Sequence, residues 1–446
     1  MYVKLTSFLV VGMKKSGFSI AKLLLEKGGT VFVYDDNENK QTLENISEII
    51  SLGGKRAMDI DKTLDCIDVL VLSPGVAIDN DIAVKARALK KRIVGEMELA
   101  SYFITNPLVA ITGTNGKTTV CSMLSHALTC ASVDNLLVGN VGTPISAKVS
   151  EFTDNTVGVV EVSSFQLETT ARFNPHIACI LNVTPDHLDR HYSMENYLFL
   201  KRKLIMNLRE SEYAVLNYDD ENIKNSADKT RGKIVWFSMT NSVADCYADN
   251  GVIIYNNEEI LNVSDIPLDG VHNIYNTLAV VCILKLLRLS NDDIKKGIST
   301  FKGVKHRIQE VADIGGVTFY NDSKSTNPDS CLKAVESMTK DTVLIMGGYD
   351  KGFDYNNLFT TLKNSEKVKN IVLTGASANT MFHSAIKSGL TELSIINDFA
   401  LAIKVAKDLA KTGYSVLFSP ATSSFDLFSG YEERGDKFIE IVNSLK

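Results

Sequence analysis

The residues best equipped for chemistry are Thr112-Gly113-Thr114-Asn115-Gly116-Lys117-Thr118-Thr119. An apolar run, Leu108-Val109-Ala110-Ile111, precedes them, and a helix-like stretch over residues 120–128 follows. Strand, glycine turn, Lys-Thr and helix together make a cradle for phosphate. Backbone N–H groups at a helix N-terminus face the anion, and a lysine ammonium reaches the outer phosphates. The Thr118 hydroxyl is placed to bind a Mg2+ that bridges phosphate oxygens. The usual loop has another glycine where Ile111 stands, so this is a shortened variant; a plain glycine-rich turn with a solvated lysine is the competing reading.

Other reactive side chains cluster after strand-like runs. Glu161 ends the apolar stretch 156–160, where an acid loses hydration unless it is paired or binds a metal. Residues 177–182 read as a core strand, and the following Val183-Thr184-Pro185-Asp186-His187-Leu188-Asp189-Arg190-His191 is a polar loop. A histidine there is either structural or a ligand, and both roles remain open for His187 on the residues alone. The next helix holds Tyr197 and Lys201-Arg202-Lys203, with Arg202 and Lys203 read as a solvated face. Asn273 opens a long amphipathic helix to Leu289, where its amide caps the helix end or bonds a base, with capping preferred. Lys324, Ser424 and Tyr431 together suit an incoming acidic group, although serine-rich loops at strand ends are commonly ordinary turns.

The elements that position these groups are of the α/β type. Phe8-Leu9-Val10-Val11, a Gly12 turn, a helix from Gly17 to Glu26 and the strand Thr30-Val31-Phe32-Val33-Tyr34 closing on Asp35 form a βαβ start. The middle glycine of a dinucleotide fingerprint is missing, which disfavours a nicotinamide cofactor; a single-headed nucleotide such as a UDP-sugar fits one glycine turn. The strand over 68–72 ends in Ser73-Pro74-Gly75 at the same sheet edge. Further strands over 317–320, 342–346, 371–374 and 415–418 repeat the pattern of a doubly wound sheet.

With 446 residues, 45% hydrophobic and 22% charged, the chain is of globular composition and too long for one ordinary core. Three α/β segments are expected: 1–97, 98–302 and 303–446. The net charge of -6 argues against a broad nucleic-acid-binding face. Residues 7–12 are too short a run for a secretion signal, and the longest apolar helix candidate, 277–289, contains Lys285 and Arg288, so no membrane span is expected. Seven scattered cysteines without C-x-x-C spacing suit reduced thiols in a cytoplasm.

Several of these motifs occur in an order that carries a resemblance. The loop 112–119, Glu161-Val162-Ser163-Ser164-Phe165-Gln166-Leu167-Glu168, Leu181 to Arg190, Gly270-Val271-His272-Asn273 and His306-Arg307 together resemble the Mur ligase family of ATP-dependent amide-forming enzymes of bacterial cell-wall synthesis. The run Asn321-Asp322-Ser323-Lys324-Ser325-Thr326-Asn327 is similar to the D-glutamate-adding branch. The resemblance implies a Rossmann-like UDP-binding domain, a central P-loop-type ATPase domain and a C-terminal Rossmann-like domain that binds the amino acid. It implies ligation of D-glutamate to UDP-N-acetylmuramoyl-L-alanine with ATP and Mg2+, through an acyl phosphate, by a cytoplasmic and monomeric enzyme.

Site residues follow by the same resemblance. Gly113, Thr114, Asn115, Gly116, Lys117, Thr118 and Thr119 would bind ATP phosphates, and Asn273, Arg307 and Asp322 its adenine and ribose side. Thr118, Glu161, His187 and a carbamylated Lys201 would hold Mg2+, with Lys117, His187 and Lys201 catalytic. Ser16, Asp35, Ser73, Gly75 and Asn140 would meet the UDP-substrate, and Lys324, Thr326, Ser424 and Tyr431 the D-glutamate. Thr422 and Tyr431 depart from the family's usual Cys and Phe. Ligands drawn from three domains imply closure of the third onto the second when ATP binds.

Overall fold

The computed structural model describes residues 3–140, 142–350 and 352–445, with the side chains of Asp189 and Asp329 also outside the description. Val141, in the run around Asn140, therefore lies outside the described residues. The chain divides into two compact units, 1–302 and 303–446.

The first unit contains two sheets. Its N-terminal sheet is parallel throughout, in the spatial order Lys55–Arg56, Thr30–Tyr34, Ser7–Val11, Val69–Leu72, Arg92–Gly95. Both faces of the central strand are covered: Phe8 and Val10 join one apolar cluster, Leu9 and Val11 the other. A strand buried on both faces reads as an unbroken apolar run, as Phe8-Leu9-Val10-Val11 does.

The larger sheet runs Glu258–Asn262, Val252–Tyr255, Cys246–Asp249, Lys233–Ser238, Tyr213–Asn217, Ile177–Ile180, Leu108–Thr112, Val157–Glu161, Asn135–Gly139. Seven neighbouring strands pair in parallel, and the meander 246–262 adds two antiparallel pairs at one edge. Leu108–Thr112 lies between Val157–Glu161 and Ile177–Ile180, so the glycine loop, Glu161 and the 181–187 loop leave the sheet at one edge. That carboxyl edge is where ligands of open α/β sheets bind.

Two expectations are corrected here. The helix Val271–Leu286 is buried almost all round rather than amphipathic, because it packs between the sheet and the helix Lys117–Cys130. Arg202 and Lys203 are half-buried, not a solvated face: Arg202 Nε donates to Ser226 Oγ (2.7 Å) and Lys203 Nζ to the Leu167 carbonyl (2.6 Å).

The second unit is a six-stranded sheet ordered Gln309–Ile314, Val317–Asn321, Ser415–Phe418, Thr342–Gly347, Val368–Thr374, Leu393–Ile395. The first pair is antiparallel and the other pairings are parallel. Apolar clusters cover both faces, one centred on Phe359 and Leu344, the other on Phe319 and Phe418. Among the described residues no helix is long and apolar enough to cross a membrane.

Candidate active site

The glycine loop is held open by its neighbours. Gly116 has φ +85° and precedes the helix Lys117–Cys130; a side chain there would be strained and would collide with Asn276 Oδ1, 2.4 Å from a Cβ. Thr114 N–H donates to the Asn182 carbonyl (2.9 Å), and Asn115 N–H donates to Asn182 Oδ1 (2.8 Å). Thr114 Oγ1 also bonds the Thr184 carbonyl (3.0 Å) and lies 3.2 Å from the Tyr197 hydroxyl. The loop is thus braced by the segment that follows the adjacent strand. Thr118 and Thr119 are buried in the first helical turn.

Two lysines converge on one carbonyl. Lys117 Nζ donates to the Gly113 and Thr114 carbonyls at 2.8 and 2.9 Å, and Lys201 Nζ donates to Gly113 O at 2.9 Å. Lys201 is 1% exposed, with the Tyr197 ring 4.5 Å from its nitrogen. Burial, reinforced by the Lys117 charge and opposed by Asp186, pushes its pKa well below that of an ordinary lysine.

Glu161 is buried at the end of its strand. Asn140 Nδ2 donates to Oε1 (2.8 Å), while Oε2 is fully buried and has no hydrogen-bond partner among the described residues. A buried carboxylate oxygen without a donor is costly, and a cation removes that cost. The donor set therefore fits Mg2+: a carboxylate oxygen, the Thr118 hydroxyl and, for an acidic derivative of Lys201, further oxygen. His187 sits against the helix that follows Glu161, its ring 4.9 Å from that of Phe165, and adopts φ +52°. Among the described residues no group of three or more His, Cys, Asp and Glu is arranged to hold a metal, so carboxylates alone do not build this centre.

The N-terminal candidates meet around Gly12. Gly12 has φ +89°, and Ser73 Oγ donates to its carbonyl (2.6 Å). Asp35 turns inward: its Oδ2 accepts from Met13 N–H (2.5 Å) and its Oδ1 from Asn37 N–H (2.8 Å), so it shapes the turn. Ser16 lies in the first turn of Lys15–Glu26, and Gly75 is exposed with open space where a Cβ would stand. On the opposite sheet, Asn273 does not cap its helix. Gly270 occupies the N-cap, and Asn273 donates backwards to the Asp269 carbonyl (2.7 Å) while accepting from Asn276 Nδ2 (3.1 Å).

In the second unit, Asp322 is buried beneath the 322–327 loop. Its carboxylate accepts from Ser325 Oγ (2.5 Å), Ser419 Oγ (2.7 Å) and Ile308 N–H (3.2 Å), and burial raises its pKa to about 6. Arg307 is exposed beside it. Lys324 Nζ lies 5.6 Å from the centre of the Tyr431 ring; Thr326 is half-buried on the same loop, and Ser424 is buried. Arg434, 1% exposed, ties the two pocket loops together. Its Nη2 donates to the Ser323 (2.9 Å) and Thr422 (3.1 Å) carbonyls, Nη1 to Ser423 O (2.9 Å), and Nε to Ser323 Oγ (3.1 Å).

Residues 6–95 match the Mur ligase MurD-like N-terminal domain, 111–284 the Mur ligase middle domain, and 306–422 the Mur ligase glutamate ligase domain. The chain is 40% identical over 458 residues to the UDP-N-acetylmuramoylalanine--D-glutamate ligase of Thermoanaerobacter sp. (strain X514), covering 100% of both chains. The chain belongs to the Mur ligase family. The similarly named ligase of Clostridioides difficile (strain 630) is 38% identical over 449 residues, covering 98% of each chain. Solved Mur ligase structures share the fold. UDP-N-acetylmuramate-alanine ligase MurC of Thermotoga maritima has a TM-score of 0.60 at 19% identity, covering 99% of this chain and 100% of that one. MurF ligase of the same organism, in complex with ADP, has a TM-score of 0.60 at 13% identity, with 100% and 99% covered.

Within this Mur ligase, the structure brings Gly113 to Thr119, Lys201 and Asn182 together, and pairs Asn140 with Glu161. Sequence reasoning overlooked Asn276, which makes glycine obligatory at position 116; its signal was its place one helical turn after Asn273. It also overlooked Arg434, whose burial no spacing rule announces.

Proposed function

We propose that this Mur ligase joins D-glutamate to UDP-N-acetylmuramoyl-L-alanine, consuming ATP with Mg2+. The relatives' shared name supports the substrates, and the Glu161 oxygen at the loop's edge, without a hydrogen-bond partner among the described residues, carries the metal-nucleotide reading. The alanine carboxylate attacks the γ-phosphorus of ATP and ADP leaves, giving an acyl phosphate. The D-glutamate amine then attacks the acyl carbon, loses its proton, and the tetrahedral intermediate expels phosphate to leave an amide.

Each group has a task in that sequence. Lys117 releases its loop carbonyls and follows the charge of the transferring phosphoryl group. Thr118, Glu161, His187 and Lys201 would hold Mg2+, which would supply charge neutralisation for the transferring phosphoryl group. Burial lowers the Lys201 pKa and so favours the neutral amine, the form that adds CO2 to become a carbamate. Asn140 orients Glu161 and faces the substrate. Ser16, Ser73 and Gly75 receive the UDP-substrate, with Asp35 holding their turn. Asn273 and Arg307 contact the nucleotide, and Asp322 supports that contact through Ile308. Lys324 pairs with a D-glutamate carboxylate in a pocket shaped by Thr326, Ser424 and Tyr431.

Phosphate release with ATP, Mg2+ and UDP-N-acetylmuramoyl-L-alanine tests the reading. Release should depend on D-glutamate, exceed that with other amino acids, and fall sharply in Lys117→Ala. ATP binding without substrate-dependent turnover would instead mark a nucleotide-binding regulator.

A further inference from the structure

The segment 187–192 has an uncommon local shape. His187 at φ +52° and Tyr192 at φ +63° bracket the single helical turn Leu188–His191, so its two ends are fixed relative to each other. Arg190, in that turn, is 19% exposed at its side chain and pairs with Glu168, which is 6% exposed. The pair is bidentate: Nε to Oε1 at 3.1 Å and Nη2 to Oε2 at 2.6 Å. His191 Nδ1 approaches the same carboxylate at 3.4 Å.

The guanidinium does not stop there. Nη2 also donates to the Pro74 carbonyl (3.2 Å) and the Val76 carbonyl (3.0 Å), on the turn that begins with Ser73. Ser73 in turn bonds the Gly12 carbonyl, and the Tyr192 hydroxyl donates to Asp79 on the same N-terminal segment. On its other side the Arg190 guanidinium lies 4.6 Å from the Phe165 ring, whose centre is 4.9 Å from that of His187. One planar group thus touches the N-terminal turn, the helix after Glu161 and the partner ring of His187. Exposed ion pairs contribute little, but a bidentate, mostly buried arginine fixes orientation as well as charge.

We propose that Arg190 is a positioning residue that holds the sugar-nucleotide turn 73–76 in register with the metal loop at His187. The assignment of those two loops rests on the proposed function. Arginine suits the role because a lysine could satisfy either Glu168 or the two carbonyls, not both with planar geometry.

The test measures calorimetric affinity and KM for UDP-N-acetylmuramoyl-L-alanine, alongside affinity for a non-hydrolysable ATP analogue. In Arg190→Ala the sugar-nucleotide affinity should fall about 10–100-fold, the range for groups that orient a site from behind it. Affinity for the ATP analogue should stay within about twofold, the scatter of independent sites. Millimolar guanidinium should restore much of the loss, which a merely unfolded variant would not show. Glu168→Gln, which keeps the side-chain volume, should shift the same quantity in the same direction by less. Unchanged sugar-nucleotide affinity in Arg190→Ala, an equal loss of ATP-analogue affinity, or a defect insensitive to guanidinium would overturn the proposal. If wild-type protein binds the sugar nucleotide yet joins another amino acid, the proposed ligation falls while this positioning role stands.

Discussion

Buried charge is treated in opposite ways in the two units. Among the described residues around the glycine loop, Glu161 keeps one oxygen without a partner, and Lys201 donates to a single carbonyl, Gly113 O, with three donors to offer. Around the 322–327 loop, Asp322 accepts three hydrogen bonds and Arg434 donates four to backbone and hydroxyl oxygens. Folded proteins satisfy nearly all buried polar groups, so exceptions point to something bound there. On the proposed function, the saturated charges act as scaffolding, while Glu161 and Lys201 line the nucleotide site.

The contrast makes opposite predictions for removing a charge. Arg434→Ala leaves three carbonyls and a hydroxyl without their donor, and should destabilise the second unit by roughly 3–5 kcal/mol in chemical denaturation. Lys201→Met, in carbonate-free buffer and without ligands, should melt no lower than wild type, because it removes a poorly compensated buried amine. A large loss in the second variant would break the comparison.

Next in size, Lys117→Ala should lower D-glutamate-dependent phosphate release by about 10²–10³-fold, the usual cost of losing one electrostatic donor at a transition state. Its thermal melting should change little, since the loop keeps its Asn182 bonds.

A pH series sharpens the contrast further. Asp322 has a folded pKa raised to about 6 from 3.8, so between those values the native state binds more protons than the unfolded chain. Stability from this group therefore falls as pH rises through that window, by up to roughly 3 kcal/mol. Asp322→Asn should lose that dependence, and denaturation at pH 4.5 and 7.5 would reveal it. Smallest of all, Tyr431→Phe should alter the KM for D-glutamate by less than about threefold, since an aromatic face beside Lys324 is retained.

Much of this organisation is legible in the chain itself. The strands Thr30–Tyr34 and Ser415–Phe418 have the bounds that their apolar, β-branched runs announce, and Glu161 falls at a strand end as its run implies. The meander 246–262 was also within reach: Asn250 and Gly251, both at positive φ, form the Asn-Gly hairpin signal between alternating strands. Other features were not readable. Asn276 meets Gly116 and Arg190 meets Pro74 across long sequence separations, and no local periodicity encodes such encounters. The depressed basicity of Lys201 likewise arises from tertiary burial, which its charged neighbours Arg202 and Lys203 disguise as a solvated run.

The central claim is that these incompletely partnered groups gather ATP and Mg2+ to make a carboxyl carbon electrophilic. Turnover of substrate labelled with 18O in the alanine carboxylate tests it most directly. Mass spectrometry of the products should find one labelled oxygen in each released phosphate. Phosphate free of label, alongside normal formation of the D-glutamyl product, would contradict the account.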